Sequence, residues 1–236
     1  MPNQFKKKGI SFMKIVLISG DSLRHLFFLK TITGALKGHE IFYLIEKKGE
    51  SYKIKEKEKK HFDEWYPDFY FVSKKQNINN NEIIKAMNGI KPDYFFTFGC
   101  SILKKDFFSI AKKGCINIHS GLVQYYRGVE NTLWALYENQ TERIGATVHF
   151  INEGIDTGGV IAQAKTTNIR KTDTLQDAFL KTCTTGIILL KDNISDIINN
   201  NFDKTKKAKG HGKLIQNKDI NDKIRTTAKY NLTRIL

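Results

Sequence analysis

Apolar positions along the chain fall into two alternating rhythms. Lys14–Ser19 is a short, nearly continuous apolar run, broken by Gly20, Asp21 and Ser22. Leu26, Leu29, Ile32 and Leu36 then recur at the spacing of one helical face, and Gly38 closes the stretch. A second strand is predicted over 41–45. Strand, tight loop, helix and strand make the opening of a βαβ unit. The same reading predicts a charged helix over 54–65, a third strand over 69–72 and a helix over 79–88. Tyr94–Phe98 is read as a fourth strand, 102–110 as a short helix and 114–118 as a fifth strand. Strands that read as unbroken apolar runs are covered on both faces, so the expected fold is α/β with a mostly parallel central sheet and helices on either side.

Past residue 120 the rhythm changes. A helix over 129–138 carries Leu133, Trp134 and Tyr137 on one face. Strands are predicted over 146–150 and 160–164, joined by the loop 152–159. Thr174 with Asp177 reads as a capping box opening a long helix. Its stripe of Leu175, Phe179, Cys183, Ile187, Leu190, Ile194 and Ile197 is read as core. From Asn199 the chain turns polar and basic, with a last helix from Asp219. The expected organisation is a disordered extension over 1–12, with Met13 the more natural start, a single domain over 13–199, and a short basic appendage over 200–236.

Composition narrows the function classes. At 236 residues the chain can bury a core without disulfide or metal staples. No apolar run approaches the roughly 20 residues of a membrane span. No apolar segment follows Lys6, Lys7 and Lys8, so the start does not read as a secretory signal. Cys100, Cys115 and Cys183 are odd in number and lack metal-site spacing, as expected of buried thiols in a reducing cytoplasm. Lys and Arg number 39 against 24 Asp and Glu, a net charge of +15. That excess fits a nucleic acid, a membrane surface, a small anionic substrate or merely a lysine-rich proteome. Lysine far outnumbers arginine, and no arginine–aromatic interleaving is evident. Nucleic acid is therefore disfavoured as a partner, and a phosphate-bearing small molecule is preferred.

In an open α/β sheet, ligands bind beyond the carboxyl ends of the strands. Three polar segments fall there: Gly20-Asp21-Ser22, Phe98-Gly99-Cys100-Ser101, and Asn117 to His119. Asp156 follows in a glycine-bracketed loop. An amide donor, an imidazole and a carboxylate directed at one carbonyl are the tools of acyl transfer to an amine. No Gly-x-Ser-x-Gly elbow or Cys–His signature supplies a side-chain nucleophile, and none is needed when the substrate amine attacks. Each piece alone is weak, since Asn-x-His often ends a strand and Asp-Thr-Gly is a common turn. Their order along the chain carries the argument.

That order resembles the folate-dependent formyltransferase family. The matching residues are Asn117-x-His119, Tyr126-Arg127-Gly128, Trp134-Ala135, Gly145-x-Thr147-x-His149 and Asp156-Thr157-Gly158. The resemblance runs from Lys14 to Asn199 and is densest from Gly114 to Gln163. It implies a Rossmann-like formyltransferase domain, 10-formyltetrahydrofolate as formyl donor, no metal, and Asn117, His119 and Asp156 as the catalytic trio. It implies a pterin pocket built from Phe98, Gly99, Ser101, Ile102 and Leu103 on one side and Ile151, Gly154 and Ile155 on the other. The family usually has Pro soon after the histidine. Ser120-Gly121 stands here and leaves the conformation of that turn open.

The family divides by acceptor. Methionyl-tRNA formyltransferases carry a further C-terminal RNA-binding domain, whereas only a short stretch follows Asn199. Glycinamide ribonucleotide formyltransferases have a Gly-Ser-Gly-type loop after the first strand, where this chain has Ser19-Gly20-Asp21-Ser22. The run 21–25, the charged helix over 57–65 and the segment 131–137 look more like the short sugar N-formyltransferases. These act on nucleotide-linked deoxyamino sugars destined for surface polysaccharides such as the O-antigen. On this resemblance the acceptor is a nucleotide-diphosphate amino sugar. Gly20, Ser22, Arg24 and His25 at the start of the first helix are the candidates to meet its diphosphate, with a solvated helix residue the alternative for Arg24. Tyr125 and Tyr126 lie between His119 and Arg127, which makes one or the other a candidate to line the acceptor pocket. Trp65 and Tyr66 are candidates for stacking a base, set against simple packing, and Arg127 is read as bracing its loop. Formylation of methionyl-tRNA or a purine precursor, a formate-releasing hydrolase and a non-catalytic RNA-binding relative stay open as alternatives. So does a homodimer, with an apolar edge in the C-terminal third as its surface.

Overall fold

The computed structural model describes residues 12–47, 52–62, 71–73, 77–203, 208 and 212–235, and the side chains among them outside 52–55 and 71–73. The expected third strand over 69–72 is described only from Phe71, and Trp65, Tyr66 and nearly all of the 1–12 extension lie outside the described residues. The first half of the chain alternates as expected: β1 (Lys14–Ser19), α1 (Leu23–Ala35), β2 (Glu40–Glu46), α2 (Tyr52–Lys59), β3 (Phe71–Ser73), α3 (Asn81–Ile90), β4 (Tyr94–Phe98), α4 (Lys105–Phe108) and β5 (Gly114–His119). These five strands run parallel. Then come β6 (Tyr126–Gly128), α5 (Asn131–Tyr137), β7 (Gly145–Phe150), β8 (Val160–Lys165), α6 (Leu175–Ile198), β9 (Lys213–Ile215) and α7 (Asp222–Leu232). The central sheet has the order β3-β2-β1-β4-β5-β7-β8, with β7 and β8 antiparallel to their neighbours.

The continuous apolar runs follow from cover on both faces. Ile15 and Leu17 of β1 pack with Leu26, Leu29 and Ile32 of α1 and Ile187 and Leu190 of α6. The alternate residues Val16 and Ile18 join Met87 of α3, Phe95 and Phe107 on the opposite face. The α6 capping box forms: Thr174 Oγ1 accepts the Asp177 N–H at 3.1 Å, and Asp177 Oδ2 accepts the Thr174 N–H at 2.9 Å. Within the α6 stripe, Cys183, Ile187, Leu190, Ile194 and Ile197 are buried, but Phe179 is only partly so. Its ring lies under the Arg24 guanidinium, 5.6 Å from the centroid.

Two features differ from the pattern-based reading. The helix expected over 102–110 is one turn, Lys105–Phe108, so that Ile102 stands 75% exposed. The region after Asn199 is packed on the rest: β9 pairs in parallel with β6, and the Val129 N–H donates to Ile215 O at 3.1 Å. Ile224, Ala228 and Leu232 of α7 share a core with Leu133, Ala135 and Leu136 of α5. The Asn231 amide donates to the carbonyls of Leu136 and Tyr137 at the end of α5.

The strand order reverses between β1 and β4. Chain crossovers leave in opposite directions there, and a crevice opens beyond the carboxyl ends of the strands. Register then brings together one polar row, because Thr97 of β4 and His149 of β7 both pair with Asn117 of β5. His119, two residues on, shares the face of Asn117.

Candidate functional site

A cleft of about 660 Å³ occupies that crevice. Asn117, His119 and Asp156 converge at its floor. The Thr97 hydroxyl donates to Asn117 Oδ1 at 2.8 Å and so turns the Asn117 amide with its NH2 outward. That NH2 lies 3.3 Å from His149 Nε2. His149 Nδ1 is 2.8 Å from the Phe150 carbonyl, which only accepts, so Nδ1 carries the proton.

Asp156 sits in the left-handed region with φ 51°, a conformation Asp tolerates better than most residues. Its loop is shaped by Asn152, whose Oδ1 accepts from Gly154 N and Thr157 Oγ1. The Asp156 carboxylate is held by the Gly128 N–H and His119, with His149 beside it. Oδ2 accepts the Gly128 N–H at 2.7 Å and stands 3.3 Å from His119 Nδ1, and Oδ1 lies 3.4 Å from His149 Nε2. Burial opposes its ionisation, but His119, His149 and the Gly128 N–H outweigh burial and hold the carboxyl well below the usual carboxylate range. Burial is also the main influence on His119 and pushes it down from its ordinary value of 6.5. His149 adds to that, while Asp156 and the Tyr126 carbonyl pull the other way. The result is a neutral imidazole facing an ionised carboxylate.

This has a consequence for stability. The folded pKa of His119 lies below its unfolded value, so below about pH 6.5 the unfolded chain takes up a proton that the folded chain refuses. Stability falls with pH there, by at most about 1.4 kcal/mol per pH unit for one proton. Asp156, depressed in the folded state, adds its own loss only below about pH 3.8. Urea midpoints measured at pH 7 and pH 5.5 should therefore drop more for the native chain than for His119→Gln. Equal drops would exclude the buried neutral histidine.

The expected pterin segments face one another across the cleft, with 98–103 on one wall and 151–156 on the other. Ile102, Leu103, Ile151 and Ile155 give them an apolar character. The residues expected on the acceptor side are divided. Arg24 and His25 line the cleft, whereas Gly20, Ser22, Tyr125 and Tyr126 do not. Ser22 and His25 instead form a capping box at the start of α1, with His25 Nδ1 3.2 Å from the Ser22 N–H and 2.8 Å from its hydroxyl. Arg24 is ion-paired with the fully buried Glu58 of α2, which also accepts the Arg24 N–H at 3.0 Å. The Tyr126 hydroxyl turns away to Glu138 at 2.7 Å, and Tyr125 lies beneath Arg143. Arg127 braces two loops through Gly212 O and Ile155 O.

Thr97 belongs to the site although no motif points to it, and Gly128 and Asn131 enter it from within the Tyr126-Arg127-Gly128 motif and the segment 131–137. His149 was visible only as part of a motif. The signal for Thr97 and His149 was their place in strands, which becomes informative once the register with Asn117 is known. Among the described residues, no three His, Cys, Asp or Glu side chains are grouped to hold a metal.

The formyl transferase family profile matches residues 13–191. A bifunctional polymyxin resistance protein ArnA from Wigglesworthia glossinidia brevipalpis is 31% identical over 152 residues, 64% of this chain and 22% of that protein. A methionyl-tRNA formyltransferase from Thermodesulfovibrio yellowstonii is 31% identical over 120 residues, 50% of this chain and 38% of that protein. The chain thus spans well under half the length of these relatives. Among solved structures, a 4-N formyltransferase from Francisella tularensis superposes with a TM-score of 0.66 at 22% identity, covering 93% of this chain and 87% of that one. An N-formyltransferase from Helicobacter canadensis, solved with folinic acid and dTDP-3-aminofucose, superposes with a TM-score of 0.60 at 19% identity, covering 92% and 80%.

Proposed function

The chain belongs to the formyl transferase family, and on that premise we propose that it moves a formyl group from 10-formyltetrahydrofolate to the amine of a nucleotide-linked deoxyamino sugar. The observation that carries this reading is the convergence of Asn117, His119 and Asp156 at the floor of a cleft with two apolar walls. A volume of about 660 Å³ lies within the range of small-molecule sites, and Ile102, Leu103, Ile151 and Ile155 suit a flat heterocycle. The folate supplies an activated formyl carbon.

In the proposed mechanism the Asn117 NH2, oriented by Thr97, donates to the formyl oxygen as negative charge grows there. The acceptor amine forms a bond to the formyl carbon and gives its proton to the ionised Asp156. His119 stays hydrogen-bonded to Asp156 and steadies the charge as that proton arrives. Breaking the bond to the folate nitrogen completes the transfer, and that nitrogen takes the proton Asp156 had accepted, directly or through a water, which returns the carboxylate to its ionised form. No side chain becomes formylated.

The sugar acceptor is supported by the ligands of the Helicobacter canadensis protein and by the likeness in shape over more than nine-tenths of this chain. Arg24 and His25 at the cleft are candidates for contact with the diphosphate, as a cytoplasmic step in surface polysaccharide synthesis would require. A second reading, methionyl-tRNA as acceptor, is favoured by the sequence relatives of that name. The test is incubation with 10-formyltetrahydrofolate and a panel of nucleotide-linked amino sugars, with methionyl-tRNA in parallel, read by mass spectrometry. A gain of one formyl group on a sugar nucleotide is expected. Formylation of the tRNA alone, or formate release without an acceptor, would overturn the proposal.

A further inference from the structure

Asn131, the first residue of α5, has a buried side chain that reaches the floor of the cleft. Its Nδ2 lies 2.6 Å from His119 Nε2 and 3.4 Å from the Gly128 carbonyl. Its Oδ1 is buried and has no hydrogen-bond partner among the described residues. Turning the amide over would direct Oδ1 at the Gly128 carbonyl oxygen, and two acceptors would face each other. The NH2 group is therefore the inward one, with one hydrogen for the ring and one for the carbonyl.

Room for this contact comes from the turn after His119. A Cβ on Gly121 would stand 2.6 Å from Asn131 Nδ2 and 2.6 Å from His119 Nε2. Ser120-Gly121 is also the place where the sequence departs from the proline usual in the family. Glycine and asparagine therefore work as a pair, one leaving space and the other filling it.

We propose that Asn131 is a positioning residue for His119: its amide, admitted by Gly121, donates to Nε2 and holds the ring as the Nδ1–H tautomer directed at Asp156. The neighbours of the ring divide over this proton. The Tyr126 carbonyl, 3.3 Å from Nε2, would accept a proton there, whereas the Asn131 amide requires a lone pair. Asn131 is the closer by 0.7 Å, the difference between those two contacts, and decides the matter. The titratable groups around the ring are Asp156 from the loop after β7 and His149 from β7 itself. From α6, Cys183 reaches the adjacent Ser120 at 3.6 Å, and burial pushes its thiol up to about 12, so it stays neutral. Holding Nδ1–H toward Asp156 keeps one ring orientation before any substrate enters. A floating tautomer would spend part of its time with a lone pair against the carboxylate.

The structural claim stands on its own, and its kinetic consequence rests on the proposed formyl transfer. Nitrogen-15 NMR of histidine-labelled protein at pH 7, with the His119 signals identified by their loss in His119→Gln, reads the tautomer directly. The expected result in the native chain is a protonated Nδ1 and a bare Nε2. A protonated Nε2 would overturn the proposal, whether or not any variant folds and whether or not any acceptor is formylated. In Asn131→Asp a carboxylate replaces the donor, so Nε2 should gain a proton. The acid limb of kcat/KM should move about one pH unit upward or more. Turnover at pH 7 should fall about ten- to a hundredfold, part of the roughly 10²–10⁴ that a positioned acid–base group supplies, with KM for the folate little changed. Gly121→Ala should move the limb in the same direction. Folded variants with the native pH profile would reduce Asn131 to packing.

Discussion

Asp156→Asn should lower turnover by about 10³–10⁴-fold while leaving the fold and KM for the folate close to native. The loss is of the size seen when the carboxylate behind a catalytic histidine becomes an amide. Two changes act together. An amide cannot take the amine proton, and the negative charge beside His119 disappears. Structure should survive because Asn accepts the Gly128 N–H with its own Oδ1 and tolerates the φ of 51°. Asp156→Ala is a poorer probe, since it also strips the Gly128 hydrogen bond and strains the turn. Single-turnover formyl transfer, with circular dichroism as the control for folding, makes the measurement. A rate within tenfold of native would remove Asp156 from the role proposed for it.

Ending the chain at Asn199 should abolish cooperative folding. The lost residues include Ile215, Ile224 and Leu232, each buried in the core around α5. Full burial of such a side chain contributes about 1.5–3 kcal/mol, so these three alone approach the roughly 5–15 kcal/mol of a whole domain. Truncation would also uncover the apolar face of α5 and leave the last carbonyls of that helix without the Asn231 amide. Soluble yield and the thermal transition of 1–199 against the full chain decide the point. A sharp transition within a few degrees of the full chain would show the tail to be dispensable.

The sheet was legible in the sequence where both of its faces are covered. Strands β1 and β4 carry apolar residues at most positions because helices pack on either side. Strands β6 and β9 escaped notice because each is three residues long and exists only through pairing with the other, far away in sequence. The trio was legible because its residue types are rare in that order. Its supports were not, since the partners of Asn117 depend on β7 running antiparallel beside β5. Tyr126 misled in a specific way. Its place between His119 and Arg127 suggests a ring in the pocket, yet the ring hydroxyl is taken by Glu138 and only the carbonyl faces His119. Arg24, a sequence candidate for a phosphate, is shared with Glu58. A diphosphate would have to share it too.

The pairing of β6 with β9 bears on the order of events during synthesis. Arg127 and Gly212, joined by a hydrogen bond, are 85 residues apart. At about 5–20 residues per second, a ribosome needs roughly 4–17 s to make that interval. Throughout it, the strand that offers the Tyr126 carbonyl to His119 and the Gly128 N–H to Asp156 has no partner. The parallel sheet can assemble on the emerging chain, but the candidate site is completed only once Gly212 and β9 have been made.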